Sequence, residues 1–88
     1  MTWRFDVVAT VHERLLSRIL QILEVQRVSI HSFTGEVDEA GARVGFVVSS
    51  QQDKAYRIEA LLYRIEGVVH VSLSTEIDGA ISRSKAFS

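Results

Sequence analysis

Residues 42–74 read ARVGFVVSSQQDKAYRIEALLYRIEGVVHVSLS, and this stretch carries the clearest secondary-structure patterns of the chain. Its opening alternates apolar and other residues with a period of two, as a half-buried strand does. Its middle places apolar residues three and four positions apart, as on one face of a helix, and reaches a glycine at Gly67. Its end alternates again, so the stretch predicts a strand, a helix and a strand. The apolar residues of these segments are, in order, Ala42, Val44, Phe46 and Val48; Ala55, Ile58, Leu61, Leu62 and Ile65; Val69, Val71 and Leu73.

The residues before position 42 show the same succession of patterns. Residues 3–11 alternate with a period of two and predict a strand. Residues 15–23 carry an apolar stripe with helical spacing and predict a helix. Residues 28–34 predict a second strand, and residues 35–41 are a polar hairpin loop with a glycine at each end. The third strand, from the stretch quoted above, should pair antiparallel with the second.

The complete order predicts an α+β fold: a ferredoxin-like βαββαβ sandwich with an antiparallel four-stranded sheet and two helices on one face. We expect one domain over residues 1–75 and a flexible C-terminal tail over residues 76–88, because the alternation lapses after Thr75. Some strands carry apolar residues on both faces, such as Val7 beside Val8. This pattern favours a partner that covers part of the sheet.

The composition narrows the function classes. The apolar share of 47% is high for 88 residues, which favours a subunit interface in addition to a core. A formal net charge of -1 gives no positive field for a nucleic acid, so we expect no such partner. With no cysteine, no apparent signal segment and no apolar run of about 20 residues, we expect a cytoplasmic protein that does not cross a membrane.

No arrangement of residues in the sequence indicates catalysis. The three histidines, His12, His31 and His70, are not spaced as ligands of one metal ion. The acidic residues in the hairpin loop are better explained by a solvated turn than by acid-base chemistry. The glycines form neither a dinucleotide-binding motif nor a phosphate-binding loop. We therefore predict no catalytic residue, no metal site and no cofactor.

Three segments carry a resemblance to a known family. Residues 15–19 (LLSRI) resemble a hydrophobic-Leu-x-Arg-Val run, residues 28–33 (VSIHSF) resemble a Phe-Asn-Ile-x-Ser-Leu strand, and residues 62–71 (LYRIEGVVHV) are similar to a Leu-x-Lys-Leu-x-Asp-Val-x-x-Val ending. These are motifs of the ACT domain in the small regulatory subunit of acetolactate synthase, also called acetohydroxyacid synthase. The chain looks most similar to the short, effector-insensitive type of that subunit.

The resemblance implies a dimer that binds a thiamine-diphosphate-dependent catalytic subunit in branched-chain amino-acid biosynthesis. In the family, an Asn-x-Pro-Gly turn receives the carboxylate of an effector such as valine. The matching positions here are Val11, His12, Glu13 and Arg14. Arginine in place of glycine obstructs the backbone, and Glu13 places a negative charge where an anion should bind. We expect weak or absent valine binding.

Two alternatives to an effector-insensitive regulatory subunit stay open. One is a free-standing sensor of an amino acid other than valine, with Arg14 pairing with the effector's carboxylate. The other is a structural module that only dimerises. The candidate ligand-binding residues come from the turn of one chain and the second strand of a neighbouring subunit, and they are Val11, His12, Glu13, Arg14, Leu15 and Ser29.

Overall fold

A computed structural model describes residues 1–10, 13–77 and 80–81 of the chain. The elements are β1 Thr2–Ala9, α1 Leu15–Gln26, β2 Ser29–Asp38, β3 Gly41–Ser49, α2 Gln52–Tyr63, β4 Val68–Ile77 and β5 Ala80–Ile81. The strands form one antiparallel sheet in the order β2-β3-β1-β4-β5. The four long strands and two helices confirm the predicted βαββαβ sandwich.

The C-terminal part of the sheet extends beyond the predicted fourth strand. The prediction ended that strand at Ser74, whereas β4 continues to Ile77. Strand β5 then pairs with it, Glu76 with Ile81 and Ile77 with Ala80. The segment predicted as a tail, residues 76–88, therefore begins inside the sheet. Residues 78–79 and 82–88 lie outside the described residues.

One face of the sheet packs against both helices and buries alternate residues of β1 and β3, together with Val71 of β4. On β1 and β3 the buried and exposed residues alternate, as the sequence predicted. Phe46 of β3 is at the centre, with Phe5 stacked on it at a centroid distance of 4.8 Å and Phe33 at 5.8 Å. The helices supply the other half of the core with Leu15, Ile19, Leu23, Ala55, Ile58 and Leu62.

The opposite face of the sheet, called the open face here, carries the strand side chains that point away from the helices. Arg4 and Asp6 of β1 are exposed and form an ion pair, with 3.4 Å between Nε and Oδ2. Arg43 of β3 and Ser72 of β4 are also exposed. The apolar Val8 on this face is 36% exposed. Among the residues that the structure describes, the open face is thus mainly polar and packs against no other element.

Candidate ligand-binding site

The turn that the sequence singled out lies between β1 and α1. Val11 and His12 lie outside the described residues. On the β1 side, Thr10 is fixed by its amide, which donates to the carbonyl of Gly67 at 2.8 Å. On the α1 side, Glu13 and Arg14 are exposed, whereas Leu15 is 2% exposed and belongs to the core. Among the described turn residues that the sequence proposed for the site, Glu13 and Arg14 are therefore the ones with side chains exposed to solvent.

The start of α1 gives this turn a positive electrostatic character. Arg14 stands at the N-cap, and no side chain there caps the helix. The first turn contains no acidic residue. Because the first amides of a helix have no partner inside it, they and the helix dipole favour an anionic group at this end. The carboxylate of an amino acid would be suited to this position, although Glu13 opposes it.

Ser29 lies far from the turn within one chain. It begins β2 and is paired in register with Ser49, which is paired with Thr2 at the start of β1. The turn follows Ala9, at the other end of β1. The two ends of β1, at Thr2 and Ala9, are therefore about 23 Å apart, because a strand rises about 3.3 Å per residue. One chain therefore does not bring Ser29 to the turn, and a site containing both needs a second copy, as the sequence-based hypothesis assumed.

The open face has a cleft in the middle of the sheet, because Gly45 of β3 has no side chain to fill it. A Cβ atom placed on Gly45 would lie 3.1 Å from Oδ1 of Asp6 and 3.4 Å from Oγ1 of Thr34. These two side chains therefore border the empty space on either side. The cleft is lined by Asp6, Val7, Val8, Thr34, Glu36, Arg43, Val44, Gly45 and Ser72, and we call it the open-face cleft.

The open-face cleft combines charges of both signs with hydroxyl groups. Asp6 and Glu36 supply carboxylates, and Arg43 supplies a guanidinium group. Glu36 and Arg43 are directly paired in the register of β2 and β3, so their side chains lie on the same face. Such a surface can hydrogen-bond a small zwitterion through both of its charged ends. Sequence reasoning missed this cleft, and its one signal was Gly45 inside an alternating strand.

Among the described residues, no group of three histidine, aspartate or glutamate side chains is placed to hold a metal ion. His31 and His70, two of the histidines considered in the sequence, each contact a serine: Nε2 of His31 is 2.6 Å from Oγ of Ser49, and Nε2 of His70 is 3.1 Å from Oγ of Ser72. Neither described helix is long and apolar enough to cross a membrane.

Comparison with solved structures identifies the fold. The ACT domain of GTP pyrophosphokinase from Chlorobium tepidum superposes with a TM-score of 0.75 at 12% identity, over 83% of this chain and 96% of that one. An uncharacterised protein from Thermotoga maritima gives 0.68 at 20% identity, over 82% and 91% of the two chains. The C-terminal domain of the MgtC protein from Mycobacterium tuberculosis gives 0.70 at 12% identity, over 89% of each chain.

These likenesses define the class of fold, which is the ferredoxin-like fold found in ACT domains. The chain has this fold along nearly the whole length of the ACT domain from Chlorobium tepidum. No protein-family model and no curated protein matches the sequence.

Proposed function

We propose that the chain is a non-catalytic, cytoplasmic regulatory domain of the ACT type that acts as a homodimer. The observation that carries this proposal is its fold, which covers 96% of the ACT domain of a GTP pyrophosphokinase. The finer part of the proposal is that the dimer binds and activates or stabilises an acetolactate synthase catalytic subunit. This part rests on the sequence resemblance of residues 15–19, 28–33 and 62–71.

The edge of strand β2 supports the homodimer. All ten residues of β2 are exposed except Phe33, which is half-buried. Beside this edge, Leu16 and Leu20 of α1 are each 39% exposed, and a Cβ placed on Gly35 of β2 would lie 3.5 Å from Leu16. A long uncovered edge strand next to exposed leucines is a surface onto which another strand can pair. A second copy presents the same edge and the same leucines, as a two-fold dimer requires.

Antiparallel pairing of two β2 strands would also bring Ser29 of one copy towards the turn of the other. If the pairing is centred on the middle of Ser29–Asp38, Ser29 of one copy lies opposite Asp38 of the other. Asp38 pairs with Gly41 of β3, whose neighbour Ala42 pairs with Ala9 at the end of β1. Ser29 of the second copy thus reaches the end of the sheet where the turn to α1 lies. The dimer would therefore place Ser29 of the second copy at the same end of the sheet as the turn, with β2 and β3 between that serine and the end of β1, a separation of about 14 Å at about 4.8 Å per strand.

Enzyme activity tests the regulatory role. We expect the acetolactate synthase activity of the same organism's catalytic subunit to rise when the chain is added. The rise should be the same with valine, leucine or isoleucine present, because Arg14 and Glu13 replace the backbone-accessible, neutral turn that the resemblance associates with effector binding. As a control, a L16E/L20E double variant tests whether activation needs the dimer. No change in activity under any condition contradicts this partner.

The sensor alternative is favoured by a specific observation, the positive start of α1 beside an exposed Arg14. A ligand at about 100 times its Kd stabilises a folded protein by about 2.7 kcal/mol. For a domain of this size we expect the effector from an amino-acid panel to raise Tm by about 10 °C or more. The variant R14A should lose this shift and R43A should keep it. The reverse result would place the ligand in the open-face cleft, and no shift with any amino acid would rule out amino-acid sensing.

A further inference from the structure

Tyr63, the last residue of α2, bonds the backbone of β4. Its Oη accepts a hydrogen bond from the amide of Val71 at 3.1 Å and donates one to the carbonyl of Val71 at 3.3 Å. In an antiparallel ladder, the amide and carbonyl of one residue point to the same side of the strand. Since both groups of Val71 are bonded to Tyr63, both face the edge of β4 that lies away from β1. Tyr63 therefore occupies two of the hydrogen-bonding groups that an added strand would use.

Further along the same edge, strand β5 also covers part of β4. It pairs with Glu76 and Ile77 of β4. The middle and the end of the β4 edge are thus covered by the tyrosine and by the short strand. Strand β2, at the other end of the sheet order, has β3 on one side and no described strand on the other. The two edges of the sheet are therefore unlike, one blocked at two points and one uncovered.

We propose that Tyr63 closes the β4 edge to other chains, so that strand addition takes place only at β2 and assembly stops at two chains. A sheet with one open, self-complementary edge forms a closed dimer, because pairing uses up that edge. A sheet with two open edges can go on adding chains, because each dimer still presents two unpaired edges. The inference rests on the β2-mediated dimer of the proposed function and adds the residue that limits it.

The test compares variants of the two tyrosines of α2 by sedimentation velocity over a range of concentrations, with far-UV circular dichroism as the check on folding. Y63A removes both the ring and the hydroxyl from the β4 edge, and Y63F removes the hydroxyl alone. The matched control is Y56A. Tyr56 is 50% exposed against 46% for Tyr63, but it contacts Trp3 and Gln52 instead of β4.

We expect the wild type and Y56A to give a single dimer at all concentrations. Y63A should form species beyond the dimer whose average mass at least doubles as the concentration rises. Y63F should show the same growth at higher concentrations, because its ring still covers part of the edge. If Y63A does not fold, Y63F decides the question. Folded variants that keep the size of the wild type at every concentration overturn the proposal.

A failure of the dimer itself gives a different result. If the wild type is a monomer, the β2-mediated dimer is wrong, yet Y63A should still associate through its opened β4 edge, from monomer to dimer. In the L16E/L20E background, which disables the β2 edge, Y63A should likewise stop at a dimer. A monomeric wild type together with a monomeric, folded Y63A would reject both proposals.

Discussion

Replacing Phe46 by alanine should lower the stability of the chain by about 3–5 kcal/mol, the usual cost of removing a buried aromatic ring. Phe46 is 1% exposed, and it lies between the rings of Phe5 and Phe33. The loss removes stacking contacts on both sides and leaves a cavity that the strands cannot close. Small domains have total stabilities of about 5–15 kcal/mol, so much of the margin would be lost.

Thermal unfolding followed by circular dichroism measures this effect, with all samples at one protein concentration because dimerisation couples stability to concentration. In a domain of this size, each kcal/mol of lost stability lowers Tm by about 4–8 °C. We therefore expect F46A to melt at least about 12 °C below the wild type. The matched control is V47A, at the next residue of β3, whose side chain is on the open face and only half-buried. Equal losses for F46A and V47A would contradict the assignment of the core to one face of the sheet.

The core and the element order were predictable because buried apolar residues recur in the sequence with the period of a strand or of a helix. Phe46, for example, lies among apolar residues spaced two apart, and the buried parity of β1 and β3 is the parity that the alternation predicted. The same logic predicted the buried residues of both helices, but it also placed Leu16 and Leu20 in the buried stripe of α1, and each of these is 39% exposed. Apolar residues that follow directly on a buried strand residue, such as Val8 at 36% exposure, do not indicate whether their own face of the sheet is buried. β-Branched residues are common in strands whichever face they occupy, so they do not by themselves indicate a covered surface.

Features that depend on single contacts between distant residues were not predictable. Tyr63 follows the last buried leucine of α2, and nothing in its neighbours indicates that its hydroxyl reaches Val71. The extension of β4 to Ile77 and the short β5 likewise lack an apolar alternation, so the sequence pattern did not indicate that they pair. Gly45 could be located as a glycine in a strand, but the depth of the cleft depends on Asp6 and Thr34 from adjacent strands.

The candidate ligand site was predictable only in part, because it combines two chains. Glu13 and Arg14 were expected at a turn before a helix, and the structure places them there at the surface. Leu15 was included with them, and its burial gives it a role in the core. Ser29 was assigned to a neighbouring subunit, and its position at the far end of the sheet means that only a dimer can bring it to the turn.

The leucines beside β2 provide the most direct test of that dimer. We expect L16E to weaken dimerisation about a hundredfold and L16E/L20E to give a monomer at all accessible concentrations, as measured by sedimentation equilibrium. Burying one leucine is worth about 1.5–3 kcal/mol. In a two-fold interface each substitution occurs twice, so burying the 39% of Leu16 that is exposed amounts to about 1–2 kcal/mol, or about tenfold in Kd. Desolvation of the two introduced carboxylates adds to this loss and brings the expected weakening to about a hundredfold.

The control is V25E, which places the same charge on the same helix but on its opposite side. Val25 is 71% exposed and lines a groove with Ile22 and Leu61, between the two helices and away from the β2 edge. Nine residues separate Val25 from Leu16, which is half a turn around the helix at about 3.6 residues per turn. We expect V25E to remain a dimer. If V25E dissociates while L16E/L20E does not, the chains meet through the helical layer, and the β2 edge must have another partner.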